Sequence, residues 1–344
     1  MQYNFVIIRT DKGSKYARKI LNSIKWINEH KYPQHEFFTQ DLTIGQFMSR
    51  VSLISGEMIL LDSGHSASGY WNLDKENTII HARCANPRTE WTIKLRELEE
   101  MGYKVVNSVD TIELTSNKLA CSLHLQGKVN HPKSWEYRKD WHKEVKDDFL
   151  EKLYHVIEGQ EYFIAKPLTS LEQGANVQKI GVDHIGGDGW LYSELINEIE
   201  KVPGNKIVIQ EFIPYTALHR VIVINNKALP YTFIDKPEWH PNDWKVSCCL
   251  NRTTMKLNES VNPKLLELAE RTQKEVGGVI NFIDIFEYNE DVFGRIENIE
   301  YTNAEINTAC SLNIHERLAK LAGRNDWNIH FRVGKELVHQ LLGE

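Results

Sequence analysis

A change of rhythm about a third of the way along the chain most limits how it can fold. Over roughly the first 110 residues, short apolar runs alternate with stretches of helical spacing. "YNFVII" leads into "SKYARKILNSIKWINEH"; "EMILLDS" and "TIIHAR" precede "TEWTIKLRELEEMG", and "YKVVNS" follows it. In that last helix Trp91, Leu95 and Leu98 share a face, and Gly102 is a C-terminal stop signal. Strands alternating with helices predict a small parallel α/β domain. Further on, "EYFIAKPL", "NVQKIGV", "KIVIQEFIPY", "HRVIVINNKALPYTFI" and "NFIDIFEYN" with "GRIENIEYTN" read as strands joined by Asn- and Gly-rich turns. One long helix, "NPKLLELAERTQKEVGG", interrupts them, with Pro263 near its start. Between the two regimes, "TIELTSNKLACSLHLQG" reads as a helix ending at Gly127, and "WEYRKDWHKEVKDDFLEKLYHVIEGQ" as a solvated, charged helix pair. The C-terminal stretch is mostly helical. The fold class expected is α/β and α+β, with a boundary between residues 1–110 and 111–344.

Composition removes several functions. Apolar residues make up 41% of the 344 positions and charged residues 26%, as in ordinary soluble domains. A net charge of −6 argues against nucleic acid as a partner, because counterion release needs a basic surface. The five cysteines, Cys84, Cys121, Cys248, Cys249 and Cys310, are odd in number and form no CxxC. A disulfide framework and a zinc finger are therefore not expected, and a reducing cytoplasm is the natural setting. The apolar run near the N-terminus is too short for a secretory signal, and no window approaches the ~20 apolar residues that cross a bilayer. The expectation is a cytoplasmic protein without membrane or nucleic-acid partners; homo-oligomerisation stays open. "DSGHSASGYW" lacks the glycine that a nucleophile elbow needs two residues after Ser66. "GVDHIGGDGW" lacks the strand–GxGxxG–helix context of a dinucleotide site.

Five segments carry chemistry when read in order. Lys118 lies in a helix leading to a Gly-x-x-x-x-Pro stretch. Lys166 ends the strand "YFIAKPL" and precedes a small-residue loop with Gly174. "IVIQEFIPY" ends in Gln210, Glu211, Phe212 and Ile213. Arg220 and Lys236 sit on the hairpin "LHRVIVINNKALPYTFIDK". Asp284 and a Glu/Asn cluster lie on paired strands, "NFIDIF" and "IENIEYTNAEIN". This order resembles the ATP-grasp superfamily over roughly residues 80–310. It looks most like the RimK branch of ribosomal-protein:glutamate ligases, and more distantly like glutathione synthetase and D-alanine ligase.

The resemblance implies an ATP-grasp fold behind an N-terminal pre-ATP-grasp domain. A small nucleotide-covering subdomain would span about 150–214 and a C-terminal subdomain about 215–344. It implies that Lys118 and Lys166 reach the phosphates of ATP, whose negative charge needs cations and backbone N–H groups around it. The loop around Gly174 would fold over them, although Ser170, Leu171 and Asn176 stand where glycines are usual. Gln210 to Ile213 would line the adenine. Leu218 replaces the Asp that relatives carry two residues before the Arg. Asp284 lies between Phe282 and Phe286 on one strand face, a costly place for a carboxylate that binds nothing. A hairpin centred near Val292 would set it opposite Glu300, and two facing carboxylates repel unless magnesium lies between them. Glu300 then fills the Glu of a Glu-x-Asn motif, and a one-residue bulge would bring in Asn303. Glu297 and Asn298 compete for the same roles.

The function implied is an ATP- and magnesium-dependent carboxylate–amine ligase working through an acylphosphate. Asp284, Glu300 and Asn303 would hold the metal, and Arg220, Lys236 and Arg252 would hold the acylphosphate or the incoming carboxylate. The partners implied are ATP, a carboxylate and an amine belonging to an amino acid, peptide or protein tail. A kinase of the same fold acting on a small hydroxyl substrate and a non-catalytic nucleotide-binding protein remain as alternatives.

Overall fold

A computed structural model describes residues 1–10, 14–61, 70–83, 89–156, 161–168, 176–181, 191–237, 255–292, 295–308, 312–324 and 328–344. Its first strand, β1 (Gln2–Arg9), is buried on both faces because Phe5 to Ile8 are apolar without interruption. Phe5 and Ile7 enter one core and Val6 and Ile8 another, as the two-residue period of a strand requires. The helix α1 (Ser14–Lys31) covers the first core with Tyr16, Ile20, Ile24 and Ile27, spaced along one helical face. It is followed by β2 (Glu36–Thr43), α2 (Ile44–Arg50) and an antiparallel meander, β3 (Val51–Ile54), β4 (Glu57–Leu61) and β5 (Tyr70–Leu73). Next come β6 (Thr78–Arg83), α3 (Thr89–Glu100) and β7 (Lys104–Val106). The order β2-β1-β6-β7 is parallel throughout, but its membership differs from the expected one: "EMILLDS" supplies β4 of the antiparallel meander, and the unforeseen β2 takes a place in the parallel sheet. Trp91, Leu95 and Leu98 of α3 fill the second core.

The expected single helix before Gly127 is two, α4 (Val109–Ser116) and α5 (Lys118–Leu125). They break at Asn117, whose side chain accepts the N–H of Ala120 and so starts α5 afresh. The charged helix pair is a strand and a helix, β8 (Ser134–Arg138) and α6 (Lys143–Val156). With β9 (Tyr162–Pro167), β10 (Gln178–Gly181), α7 (Leu191–Glu200) and β11 (Lys206–Glu211), β8 builds an antiparallel sheet ordered β10-β9-β11-β8. That sheet thus begins at Ser134, ahead of the boundary near 150. Tyr137, Phe163, Ala165, Ile207 and Ile209 pack on one of its faces, together with side chains of α6 and α7.

The remaining strands are β12 (Ala217–Ile224), β13 (Lys227–Asp235), β14 (Lys256–Asn258), β15 (Ile280–Val292) and β16 (Arg295–Asn307). They form a larger antiparallel sheet, β14-β13-β12-β15-β16. The helix α8 (Pro263–Val276) covers one face of it, and part of the other face joins the N-terminal core through Ile222, Phe233 and Phe282. Asn107 fixes where β15 starts. Its amide oxygen accepts the N–H groups of Val279 and Ile280, and its Nδ2 donates to the Ile280 carbonyl. Gly278 there has φ +87 and lies so close to its neighbours that a Cβ would collide with Thr111 and crowd Asn281 and Asn107. After α9 (Leu312–Leu321), the helix α10 (Ile329–Leu342) returns to the first domain. Val333, Leu337 and Leu341 of α10 lie against α1, where Gly334 permits an approach that a Cβ would crowd at Ser23 and the Ile20 carbonyl. No helix among the described residues is long and apolar enough to cross a membrane.

Candidate active site

The acidic hairpin has a register other than the one the sequence suggests. Val292 pairs with Arg295, so the turn falls later than Val292. Two register shifts follow, one between Glu290 and Asp291 and one between Asp284 and Ile285. Asp284 therefore faces Glu305, whereas Glu300 faces Tyr288. Glu300 instead leans toward α8, 3.8 Å from the Lys264 ammonium. A bulge does occur beside Asn303, with the opposite consequence to the one expected. It turns Asn303 into the α8-side core opposite Ile285 and brings Glu305 to the Asp284 face. Asn303 is fully buried, accepts from Thr272, and donates its N–H and Nδ2 to the Asn130 carbonyl at 3.0 Å each. It is a structural bolt. Asn303→Ala is expected to cost about 1–3 kcal/mol in denaturant unfolding, since the carbonyl it serves stays buried.

Glu305 and Asn307 were not weighed in the sequence reading. Glu305-Ile306-Asn307 spells Glu-x-Asn outright, five residues after the glutamate chosen, with Ile306 pointing into the core and Asn307 paired with Phe282. Glu297 and Asn298 belong to the far end of the hairpin, where Asn298 pairs with Glu290.

Cations gather around these carboxylates. Arg220, the cross-strand neighbour of Asp284, grips it through Nε and Nη2 at 2.6 and 2.5 Å. Only 12% of the Arg220 side chain and 7% of Asp284 is exposed, so this is a buried bidentate pair. Burial lifts the Asp284 carboxyl above the ordinary aspartate value against the pull of Arg220, and the Glu305 charge adds to the lift. Lys118, at the first turn of α5, lies 3.7 Å from Glu305. Burial would raise Glu305 too, but Lys118, Lys166 and Arg220 together hold it below the usual glutamate value. Lys166 donates to Gln210 at 2.7 Å, and Gln210 Nε2 donates to Ser134 at 2.9 Å. Burial and the neighbouring Lys118 charge push Lys166 down to about 7. Lys236 lies just past β13, where its charge acts on Glu287. Glu287 is bonded to His219 on the α8 side, away from Arg220.

Gln210, expected at the adenine, thus has its side chain engaged with Lys166. Glu211 ties the strand to the segment before β8, with its N–H on the Lys133 carbonyl and its carboxylate on the Lys133 N–H. The Ile213 carbonyl accepts from Tyr215. Phe212 and Tyr162 hold the Lys179 ammonium over their rings at 4.2 and 3.7 Å. Leu218 pairs across the sheet with the buried Asp235. Asn176, standing where glycine is usual, has φ +64, a left-handed conformation that Asn tolerates better than most side chains. Gly174, Ser170, Leu171, Arg252, Cys248, Cys249 and residues 62–69 and 182–190 lie outside the described residues.

The donor set suits magnesium: two carboxylates and an amide oxygen are hard ligands. Among the described residues no cluster of three or more His, Cys, Asp or Glu could enclose a metal alone. An ion shared with phosphate oxygens needs no such cage.

A parallel α/β domain, a four-stranded antiparallel sheet bearing Lys166 and a five-stranded sheet bearing Asp284 and Glu305 together make the ATP-grasp fold. The ATP-grasp ligase PsnB complexed with a minimal precursor matches 99% of this chain over 100% of its own, with a TM-score of 0.61 at 15% identity. The macrocyclase MdnC bound with precursor peptide MdnA, from Microcystis aeruginosa, matches 97% of this chain over 99% of its own (TM-score 0.60, 12% identity). D-alanyl-alanine synthetase A from Vibrio cholerae matches 100% over 99% (TM-score 0.60, 11% identity). A RimK-domain ATP-grasp protein from Sphaerobacter thermophilus has a TM-score of 0.53 at 14% identity, so the likeness does not single out the RimK branch. No protein-family model and no curated protein matches the sequence.

Proposed function

We propose that the protein is an ATP-dependent carboxylate–amine ligase acting on a peptide or amino-acid substrate. The observation that carries this reading is the convergence of Asp284, Glu305, Arg220, Lys118 and Lys166 where the two antiparallel sheets meet. Lys118 and Lys166 would neutralise the phosphates, with Lys166 taking up a proton as they arrive. Asp284, Glu305 and Asn307 would hold magnesium, replacing the Glu300 and Asn303 of the sequence-based assignment. Bound there, magnesium would offset the charge that develops on the transferred phosphoryl group. Arg220, already oriented by Asp284, would bind the carboxylate and then its acylphosphate, with Arg252 and Lys236 as further candidates. The carboxylate oxygen attacks the γ-phosphorus and ADP leaves. The amine nitrogen then attacks the acyl carbon, phosphate leaves, and the amine proton passes to solvent. Such chemistry needs positioning and charge stabilisation rather than a protein nucleophile. The peptide reading is supported by the likeness in fold to PsnB and MdnC, both solved with precursor peptides.

The test is ATP-dependent phosphate release across amino acids and acidic peptides, with hydroxylamine as a surrogate amine. Free phosphate together with a hydroxamate is the expected result. Stable phosphorylation of a hydroxyl, with no free phosphate, would overturn the ligase reading in favour of a kinase.

A further inference from the structure

Residues 130–134 form a strap fastened at both ends. At one end the Asn130 carbonyl accepts from Asn303, and Asn130 Nδ2 donates to the Tyr301 carbonyl at 2.6 Å, both on β16. At the other end the Lys133 carbonyl accepts from Glu211 at 3.0 Å, and Ser134 accepts from Gln210, the residue that also holds Lys166. Between these fastenings sits His131. Both of its ring nitrogens are buried, and neither has a hydrogen-bond partner among the described residues. A neutral imidazole carries one donor and one acceptor, and burying both without partners costs free energy that a structural role does not recover. Lys166 is the charged group acting on the ring, and Lys118 and Glu305 act on Lys166 in turn. Burial and the Lys166 charge push His131 down to about 3, so at neutral pH its ring is neutral.

We propose that His131 is a further ligand of the nucleotide's phosphate chain, its ring N–H donating to a phosphate oxygen beside Lys166. This rests on reading the cleft as a nucleotide site and adds a residue that neither the sequence motifs nor the likeness in fold assigns. The strap would then report phosphate occupancy to both sheets through one side chain.

Binding of magnesium–ATP, magnesium–ADP and adenosine is measured by calorimetry on the wild type, His131→Leu and His131→Gln, alongside the Tm of each ligand-free protein. His131→Leu is expected to weaken ATP and ADP about tenfold or more while leaving adenosine unchanged, since one charge-assisted bond is lost. Its ligand-free Tm should be unchanged or higher, because no bond is broken in the empty protein. His131→Gln, which keeps a donor, should recover part of the affinity. Unaltered ATP affinity in His131→Leu overturns the proposal. So does an equal loss for adenosine, or a fall in ligand-free Tm that Gln does not repair. A wild type that binds no ATP overturns the nucleotide reading itself, a distinct outcome.

Discussion

Glu305→Gln is expected to lower turnover on the order of a thousandfold while the protein stays folded. Several kcal/mol of charge stabilisation at the transferring phosphoryl group depends on the metal that this carboxylate helps hold, and about 4 kcal/mol corresponds to that factor. The same substitution should remove the rise in Tm that magnesium–ATP confers beyond ATP alone, because that rise follows affinity by mass action. Glu300→Gln should do neither, since Glu300 faces Tyr288 and pairs with Lys264 near the surface. Thermal shifts with and without magnesium–ATP on the two variants decide the register. Loss in Glu300→Gln and none in Glu305→Gln would refute it. Asp284→Asn is a poorer probe. Facing carboxylates alone would make that change neutral or stabilising, but Arg220 grips Asp284 in a buried bidentate pair. Stranding one member of such a pair costs roughly 3–5 kcal/mol, so Asp284→Asn should lower stability even without ligand.

ATP affinity should fall with pH across the neutral range, and Lys166 is the cause. In the ligand-free cleft its ammonium is pushed down to about 7, whereas an unfolded lysine titrates near ~10.4. Phosphates bound beside it favour the charged form, so above pH 7 binding requires proton uptake. The dissociation constant should then rise by up to about tenfold per pH unit between pH 7 and 9. Lys166→Arg, permanently charged, should flatten this profile, and Lys166→Met should weaken binding about tenfold or more at pH 6.5. For the ligand-free protein the sign is reversed. Between about pH 7 and ~10.4 the unfolded chain holds the extra proton, so this group makes stability increase as pH rises over that window. A flat affinity profile in the wild type would mean that Lys166 does not meet the phosphates.

What could be read from the sequence depended on how local the cause was. Lys166 closing an apolar strand, and Asp284 between two phenylalanines, are exposed by a two-residue period alone. The parallel first sheet follows from the alternation of strand and helix. Edge strand β2 escaped notice because "EFFTQDLT" is half-buried along most of its length and carries no clean alternation. The strand β8 was hidden in a charged stretch whose strand is short. Glu305 was missed for a different reason. Which carboxylate faces Asp284 is set by two register shifts along a long hairpin, and neither leaves a mark in the residues nearby. Equally, nothing local says that Gln210 would spend its side chain on Lys166 and Ser134.

The packing of α10 on α1 bears on how the protein is made. Tyr16, Ile20 and Ile24 emerge from the ribosome well before Ile329, Val333, Leu337 and Leu341, which share their core. Between the two, the chain must complete both antiparallel sheets. The first domain therefore cannot close its core until α10 has been made, and it holds an apolar helix face open until then. Such a face is a target for chaperones and a route to aggregation. A nascent chain halted before residue 329 should remain protease-sensitive in its first domain, and one that includes α10 should not.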